Sequence, residues 1–340
     1  MLIATAAAAV ERLPLPDSLL RAGIAGLVNR TARALGEAPA ALTGEFAQAM
    51  RDYPIAEHTD DANAQHYAIP PEFFAAILGP HRKYSCCLYE TAASTLEQAE
   101  AAALAETCRH ADLRDGQTVL ELGCGWGSLS LWMARHYPAS RITAVSNSAP
   151  QREFIEAEAA RRKLANLTII TADMNRFEAQ ARFDRIVSVE MFEHMANWIA
   201  LLTRVRGWLA DDGRLFLHVF SHRDRPYRFD KSDKADWIAQ HFFTGGIMPS
   251  HGLLAALPIP FTVEQDWQWS GEHYRRTAED WLANYDRNAA VIAPILRSVY
   301  GKDAAIWRRR WRLFFLATAG LFGAREGREW GISHYRLKPA

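Results

Sequence analysis

Residues 188–195 read SVEMFEHM, which sets Glu190, Glu193 and His194 in one short apolar stretch directly after the run FDRIV. Two carboxylates three residues apart, with an imidazole beside the second, can bind a cation, take up a proton, or orient a group that does so. At the mouth of an apolar strand such groups cost free energy unless they are paired or put to use. Glu190 has a plainer alternative, capping a helix that follows, because acids favour helix N-termini.

A second constellation lies upstream. The apolar run TVLEL (118–122) leads into GCGWGS, so Gly123, Gly125 and Gly127 fall in a strand-to-helix turn with Glu121 just before it. Missing side chains in such a turn let a ligand approach the backbone. Dinucleotide sites use G-x-G-x-x-G and an acid at the end of the second strand. Here the spacing is G-x-G-x-G, the second apolar run ends in Ser146, Asn147 and Ser148, and no acid follows until Glu153. The third run ends TADM, which places Asp173 where an adenine amino group could be held. This combination suits S-adenosyl-L-methionine better than NAD, although Asp173 could equally cap its own turn.

The elements that must position these groups follow from the hydrophobic pattern. TVLEL (118–122), RITAV (141–145), LTIIT (167–171), FDRIVSV (183–189) and RLFLHVF (214–220) are short apolar runs, with helical stretches near 127–136, 150–163 and 197–209 between them. Strands alternating with helices predict a parallel sheet covered on both faces. Ligands bind such sheets beyond the carboxyl ends of the strands, where strand order reverses. If the order runs outward from the first strand, the fourth lies beside the first, and SVEMFEHM faces the glycine loop. Residues 1–110 read as mostly helical, interrupted by the loops AIPPEFF and KYSCCLYE; Asp17 or Ser18 is expected to cap the helix of LPDSLLRAGIAGLVNRTARAL. Residues 222–300 hold few strands and many aromatics, and WGISHYRLK could return as a last strand.

Composition narrows the classes. With 39 basic and 39 acidic residues the formal net charge is zero, which gives no nucleic-acid footprint. The four cysteines, Cys86, Cys87, Cys108 and Cys124, form no C-x-x-C, so neither a zinc site nor a disulfide framework is indicated. No stretch reaches the ~20 apolar residues of a membrane span. The N-terminal apolar run has no basic segment before it and is broken by Glu11, Arg12 and prolines, so no signal peptide is expected and a cytoplasmic location is.

VLELGCGWGSLSLWMARHY, ITAVSNSAPQ, VSVEMFEHM and LFLHVFSH together resemble the cyclopropane-fatty-acid synthase superfamily of S-adenosylmethionine-dependent methyltransferases. YSCCLYE, HFFTGGIMPS, WSGEHYRRTAEDW and FGAREGREW are similar to its coclaurine N-methyltransferase-like branch, so the likeness runs from about residue 10 to 338. The resemblance implies an α/β fold: a Rossmann-like class I methyltransferase with a seven-stranded, doubly wound, mostly parallel sheet. Expected segments are a helical cover (1–110), a cofactor-binding core (111–221), a helical and aromatic lid with the substrate region (222–300), and a helix and strand completing the core (301–340).

The resemblance also assigns residues. Tyr84 and Ser85 would border the methionine end of the cofactor above Gly123 and Gly125, Ser146, Asn147 and Gln151 would take the ribose side, and Asp173 and Met174 would hold adenine. Glu190, Glu193 and His194 would line the catalytic pocket. An amine acceptor must lose its proton before attack, which two acids and a histidine suit, and any of the three could take it. Lipid-modifying members hold a bicarbonate instead, at positions that match Cys86, Glu193, His218, the backbone of Phe220 and a tyrosine at or beside Phe314; phenylalanine offers no hydroxyl there. Phe242, Tyr274 and Trp330 complete the expected substrate pocket.

Plainer readings stand beside several of these. Cys86 and Cys87 could be small buried apolar residues, His218 a satisfied core histidine, the aromatics of 227–281 core rather than an amine cage, and the basic stretch WRRRWRLFF (307–315) an ordinary amphipathic helix rather than a lipid-docking face. The expected function is S-adenosylmethionine-dependent N-methylation of a small, partly hydrophobic amine. The alternatives are cyclopropanation or C-methylation of unsaturated acyl chains, and a non-catalytic S-adenosylmethionine sensor.

Overall fold

The computed structural model describes residues 11, 15–57, 69–233 and 236–340. Its centre is one seven-stranded sheet. The five apolar runs form β1 (Thr118–Leu122), β2 (Arg141–Ser146), β3 (Leu167–Thr171), β4 (Phe183–Val189) and β5 (Leu209–His222), joined by β6 (Phe261–Ser270) and β7 (Trp330–Pro339). The order is β3-β2-β1-β4-β5-β7-β6. The first five strands are parallel, and β7 pairs antiparallel with both β5 and β6. As expected, β4 lies directly beside β1, with Leu122 opposite Ser188, so the glycine loop and SVEMFEHM leave the sheet at adjacent strand ends.

Helices cover both faces: α1 (Asp17–Glu37), α2 (Leu42–Ala49), α3 (Pro71–Ile77), α4 (Leu96–His110), α5 (Ser128–His136), α6 (Ala149–Arg161), α7 (Trp198–Trp208), α8 (Trp237–His241), α9 (Leu253–Ala256), α10 (Gly271–Arg287), α11 (Ala289–Tyr300) and α12 (Ala304–Phe322). Local chemistry sets several starts. Thr95 and Gln98 make a reciprocal capping box on α4, and Ser148 caps α6 with Pro150 in its first turn. One apolar cluster joins Phe73 and Phe74 of α3 to Trp281 of α10, to Trp311 and Phe315 of α12, and to Trp330 of β7. Burying each of these rings contributes roughly 1.5–3 kcal/mol.

Three local expectations are corrected. The N-cap of α1 is Pro16, not Asp17 or Ser18; Asp17 lies inside the helix and its carboxylate pairs with Arg312 at 2.6 Å. Within AIPPEFF, Pro71 to Phe74 begin a helix rather than a loop, because a proline in the first turn has no amide hydrogen to leave unpaired. Residues 222–300 contain the ten-residue strand β6. It escaped the apolar pattern because it is a sheet edge, with Thr262 to Asp266 exposed and only Phe261 and Trp269 buried. Among the described residues no helix is long and apolar enough to cross a membrane. All four cysteines are buried free thiols.

Candidate active site

The strand ends open on a single cavity of about 820 Å³, within the size range of small-molecule sites. At Gly125, with φ +51°, a Cβ would meet no protein atom within 4 Å, and the residue lines the cavity, so its bare backbone faces open space. Gly127 serves packing instead: its φ is +76°, and a Cβ would stand 2.6 Å from Ile155 Cγ1 on α6.

Every residue expected at the cofactor lines this one cavity: Tyr84, Ser85, Glu121, Gly123, Gly125, Ser146, Asn147, Gln151, Asp173 and Met174. Ser146 donates to Gln151 Oε1 at 2.7 Å, which fixes the pair at the end of β2. Asp173 accepts from the Asn175 N–H at 2.7 Å, so it caps its turn and faces the cavity as well. Glu121 is fully buried and accepts a hydrogen bond from Ser130; burial pushes its carboxyl up to about 7. Thr107 Oγ1 and Ser128 Oγ are buried on the same wall and have no hydrogen-bond partner among the described residues. A bare-backbone loop, two unsatisfied hydroxyls and a carboxylate beyond the third strand fit a ligand rich in hydroxyl, amino and carboxylate groups, as S-adenosylmethionine is.

At the other end stands Glu190. Its φ of +46° is a left-handed conformation rare for a residue with a side chain, and such strain persists only where the surroundings over-determine it. Its backbone N–H donates to His218 O at 2.8 Å. Its Oε1 accepts from the Cys86 N–H at 2.9 Å and lies 3.2 Å from His218 Nε2, while Oε2 accepts from the Tyr274 hydroxyl at 2.7 Å. Glu190 therefore caps no helix; it presents a held carboxyl to the cavity. Burial raises its pKa, and the Lys83 ammonium, the Cys86 amide and Tyr274 oppose that rise.

The residues expected beside it divide. His194, on a one-turn 3-10 helix (Phe192–His194), lines the cavity with its ring 4.3 Å from that of Phe243. Tyr274, Phe220 and Phe314 line it too. Glu193 is not among the lining residues: its Oε1 accepts from the Phe220 N–H at 2.6 Å, its Oε2 has no partner among the described residues, and burial, with the neighbouring Glu190, drives its pKa well upward. Its offset of three from Glu190 on a tight turn sends the two carboxyls in different directions.

Four expected pocket residues lie behind the wall. The Cys86 thiol donates to Cys87 O at 3.4 Å, and burial drives its pKa well upward. His218 has both ring nitrogens engaged, one with Glu190 and one with His334. Phe242 stacks on Phe314 at 4.6 Å, and Trp330 is buried against His222. Sequence reasoning missed Lys83, whose buried ammonium donates to Ser85 Oγ at 2.5 Å and Cys86 O at 2.7 Å and so fixes the loop that carries Tyr84. Its only signal was its place beside that loop.

Much of the remaining lining is apolar, with Leu20, Ile24 and Val28 of α1, Leu313 and Leu321 of α12, and Trp237 of α8, and the charged residues Arg30, Glu57, Arg82, Asp233 and Asp236 line the cavity as well. The basic stretch of α12 is tied into the fold. Arg310 pairs with Glu11 at 2.9 Å, and Arg312 bridges Asp17 and Asp286. These arginines are matched by acids of this chain, as in an ordinary amphipathic helix.

Comparison with known proteins shows what the chain is similar to. The model of the family described as mycolic acid cyclopropane synthetase matches residues 56–326. (S)-coclaurine N-methyltransferase of Thalictrum flavum subsp. glaucum is 36% identical over 85% of this chain and 81% of its own. Cyclopropane-fatty-acyl-phospholipid synthase of Escherichia coli strain K12 is 31% identical over 79% of this chain and 66% of its own. A crystal structure of coclaurine N-methyltransferase bound to N-methylheliamine and S-adenosylhomocysteine superposes with a TM-score of 0.93, at 34% identity and 97% coverage of both chains.

Proposed function

The chain belongs to the mycolic acid cyclopropane synthetase family, and we propose that within it this protein methylates a small, partly hydrophobic amine on nitrogen. It is an S-adenosylmethionine-dependent methyltransferase. The observation that carries the acceptor is the buried Glu190 carboxyl, held by Cys86, His218 and Tyr274 at one end of a cavity with large apolar walls. An acid among apolar walls recognises an ammonium carried on a hydrophobic body.

Bound in the cavity, S-adenosylmethionine supplies an electrophilic methyl group on a sulfonium. Tyr84, Ser85, Gly123 and Gly125 would hold its methionine end, Ser146, Asn147 and Gln151 its ribose, and Asp173 and Met174 its adenine. Glu190 binds the acceptor's ammonium and takes its proton, which leaves the nitrogen lone pair free for in-line attack. His194, on the turn that directly follows Glu190, orients the acceptor from the same cavity. Glu193 holds the Phe220 backbone in place rather than meeting the acceptor. The Lys83 ammonium keeps Glu190 able to ionise despite its burial.

A bicarbonate site for cyclopropanation finds less support. The Cys86 thiol donates to the Cys87 carbonyl, His218 has no free nitrogen, and Phe314 brings no hydroxyl. The test is a methyl-transfer assay on cyclic secondary amines and, in parallel, on unsaturated phospholipid vesicles, with products read by mass. One added methyl on an amine, lost in Glu190→Gln, is the expected result. A methylene added to an acyl chain, with no amine product, would overturn the reading.

A further inference from the structure

Three histidines outside the cavity form an unbroken chain that ends on Glu190. His218 Nε2 lies 3.2 Å from Glu190 Oε1, His218 Nδ1 lies 2.8 Å from His334 Nε2, and His334 Nδ1 lies 2.8 Å from His110 Nδ1. At the outer end His110 Nε2 lies 2.9 Å from Glu106 Oε1 and 2.8 Å from Arg109 Nη2. The three rings come from β5, β7 and the last turn of α4, and all are buried. The Glu106 side chain is 26% exposed, so the chain starts at the pocket and ends at water. Trp267 stacks on His110 at 3.7 Å, and Trp269 lies edge-on to His218 and His334, which fixes the rings.

Burial lowers the pKa of His110 to about 4 and those of His218 and His334 well below the usual value. The cations facing them, Lys83 toward His218 and His334, Arg109 and Arg336 toward His110, act the same way, and only Glu106 opposes them at His110. Each ring is therefore neutral, with one N–H and one lone pair. A gapless chain of neutral imidazoles has two uniform tautomer sets. In one, every N–H points toward Glu190, and His110 Nε2 accepts from Arg109. In the other, every N–H points toward Glu106, and a protonated Glu190 donates to His218. The outer nitrogen has a donor and an acceptor within reach, so it fits both.

We propose that Glu190, His218, His334, His110 and Glu106 form a proton path that carries the proton of an ammonium acceptor out of the pocket to solvent. The proposal rests on the N-methylation reading above. The acceptor ammonium gives its proton to Glu190. Glu190 passes a proton to His218 Nε2 as His218 Nδ1 gives one to His334, His334 Nδ1 one to His110, and His110 Nε2 one to Glu106, which Arg109 keeps acidic and which releases it to water. The freed lone pair forms the N–C bond as the S–CH3 bond breaks, its electrons staying on sulfur, and the methylated product leaves as an ammonium. After product leaves and water enters the pocket, one proton returns inward along the path and leaves from Glu190 through the open cavity, which restores the outward set. The path thus removes the proton while the acceptor fills the cavity and transfers none in net over the full cycle. His218, His334 and His110 act through Glu190 and are positioning residues.

The test compares wild type with His334→Gln and His110→Gln, using tetrahydroisoquinoline as a strongly basic acceptor across a range of pH. At pH 7 kcat falls about tenfold or more in both variants, with the dissociation constant for S-adenosylhomocysteine unchanged. The loss shrinks as pH approaches the acceptor's own pKa, because the amine then arrives neutral. No loss, or an equal fold-loss at every pH, overturns the path. Nitrogen-15 NMR of histidine-labelled wild type decides it without turnover: three neutral rings in one uniform tautomer set are expected, and an imidazolium or a break in the set overturns it. If wild type methylates no amine, the acceptor reading fails on its own and the NMR result still judges the path.

Discussion

The Tyr274 hydroxyl donates to Glu190 Oε2 at 2.7 Å, although 84 residues separate the two in the chain. Tyr274 comes from α10 and stacks on Phe322 at 4.4 Å, so its ring is held without the hydroxyl's help. The bond favours the ionised form of Glu190 against a burial that raises its pKa. In Tyr274→Phe the carboxyl rises further, and the acid limb of the pH–rate profile moves to higher pH. The lost bond to a charged group corresponds to about 1.5–3 kcal/mol, a tenfold or larger fall in kcat near neutral pH. Full activity at pH 6 in the variant would remove Glu190 from the proton-accepting role.

Glu121 links pH to stability. Its folded pKa of about 7 is above the unfolded value of 4.5, so the folded state holds the extra proton between these two. Its contribution to stability is full below pH 4.5 and is lost as pH rises through 7. Glu121→Gln removes the penalty of ionising a buried acid. We expect ligand-free Glu121→Gln to match wild type in thermal unfolding near pH 4.5 and to melt several degrees higher at pH 8.5, a gain of roughly 3 kcal/mol. Parallel melting curves at the two pH values would show that Glu121 stays ionised in the fold.

The glycine loop separates ligand effects from packing effects. Gly125→Ala adds a methyl group that touches no protein atom but enters the cavity, at a backbone φ that costs about 1–2 kcal/mol. Binding of S-adenosylhomocysteine, followed by calorimetric titration, should weaken tenfold or more while the melting temperature falls modestly. Gly127→Ala drives its methyl into Ile155 and should show the larger loss in melting temperature. The reverse ranking would mean that the cofactor does not pass over Gly125.

Arg312 fastens the helix that roofs the cavity. Its guanidinium, on α12, binds Asp17 on α1 and Asp286 on α10, and α1 supplies Leu20, Ile24 and Val28 to the cavity wall. All three groups are partly exposed, so Arg312→Met should cost only about 1 kcal/mol of stability. A loosened α1 should raise the acceptor KM several-fold and leave the cofactor's dissociation constant unchanged. An equal loss of cofactor affinity would show that α1 serves the whole cavity rather than the acceptor end.

The sequence alone determined the parallel core and the set of residues that line the cavity at its strand ends. Five apolar runs with helices between them are periodic over a few residues, and Gly125, Ser146 and Asp173 each lie at or just beyond the carboxyl end of a strand, so their common placement needs only the sheet order. The edge strand β6 was not legible, because a strand with one side in water keeps few apolar residues. Tertiary structure alone decided which acid faces the cavity. Glu190 and Glu193 share a motif, yet a positive φ and partners from residues 86, 218 and 274 turn one inward, while the amide of Phe220 draws the other behind the wall. The chain His110–His334–His218 was invisible for the same reason, and Lys83, bonded to its near neighbours Ser85 and Cys86, was hidden by its burial. Hydrogen bonds between groups as far as 224 residues apart leave no local spacing to read, and burial, which fixes their protonation, belongs to the packed fold.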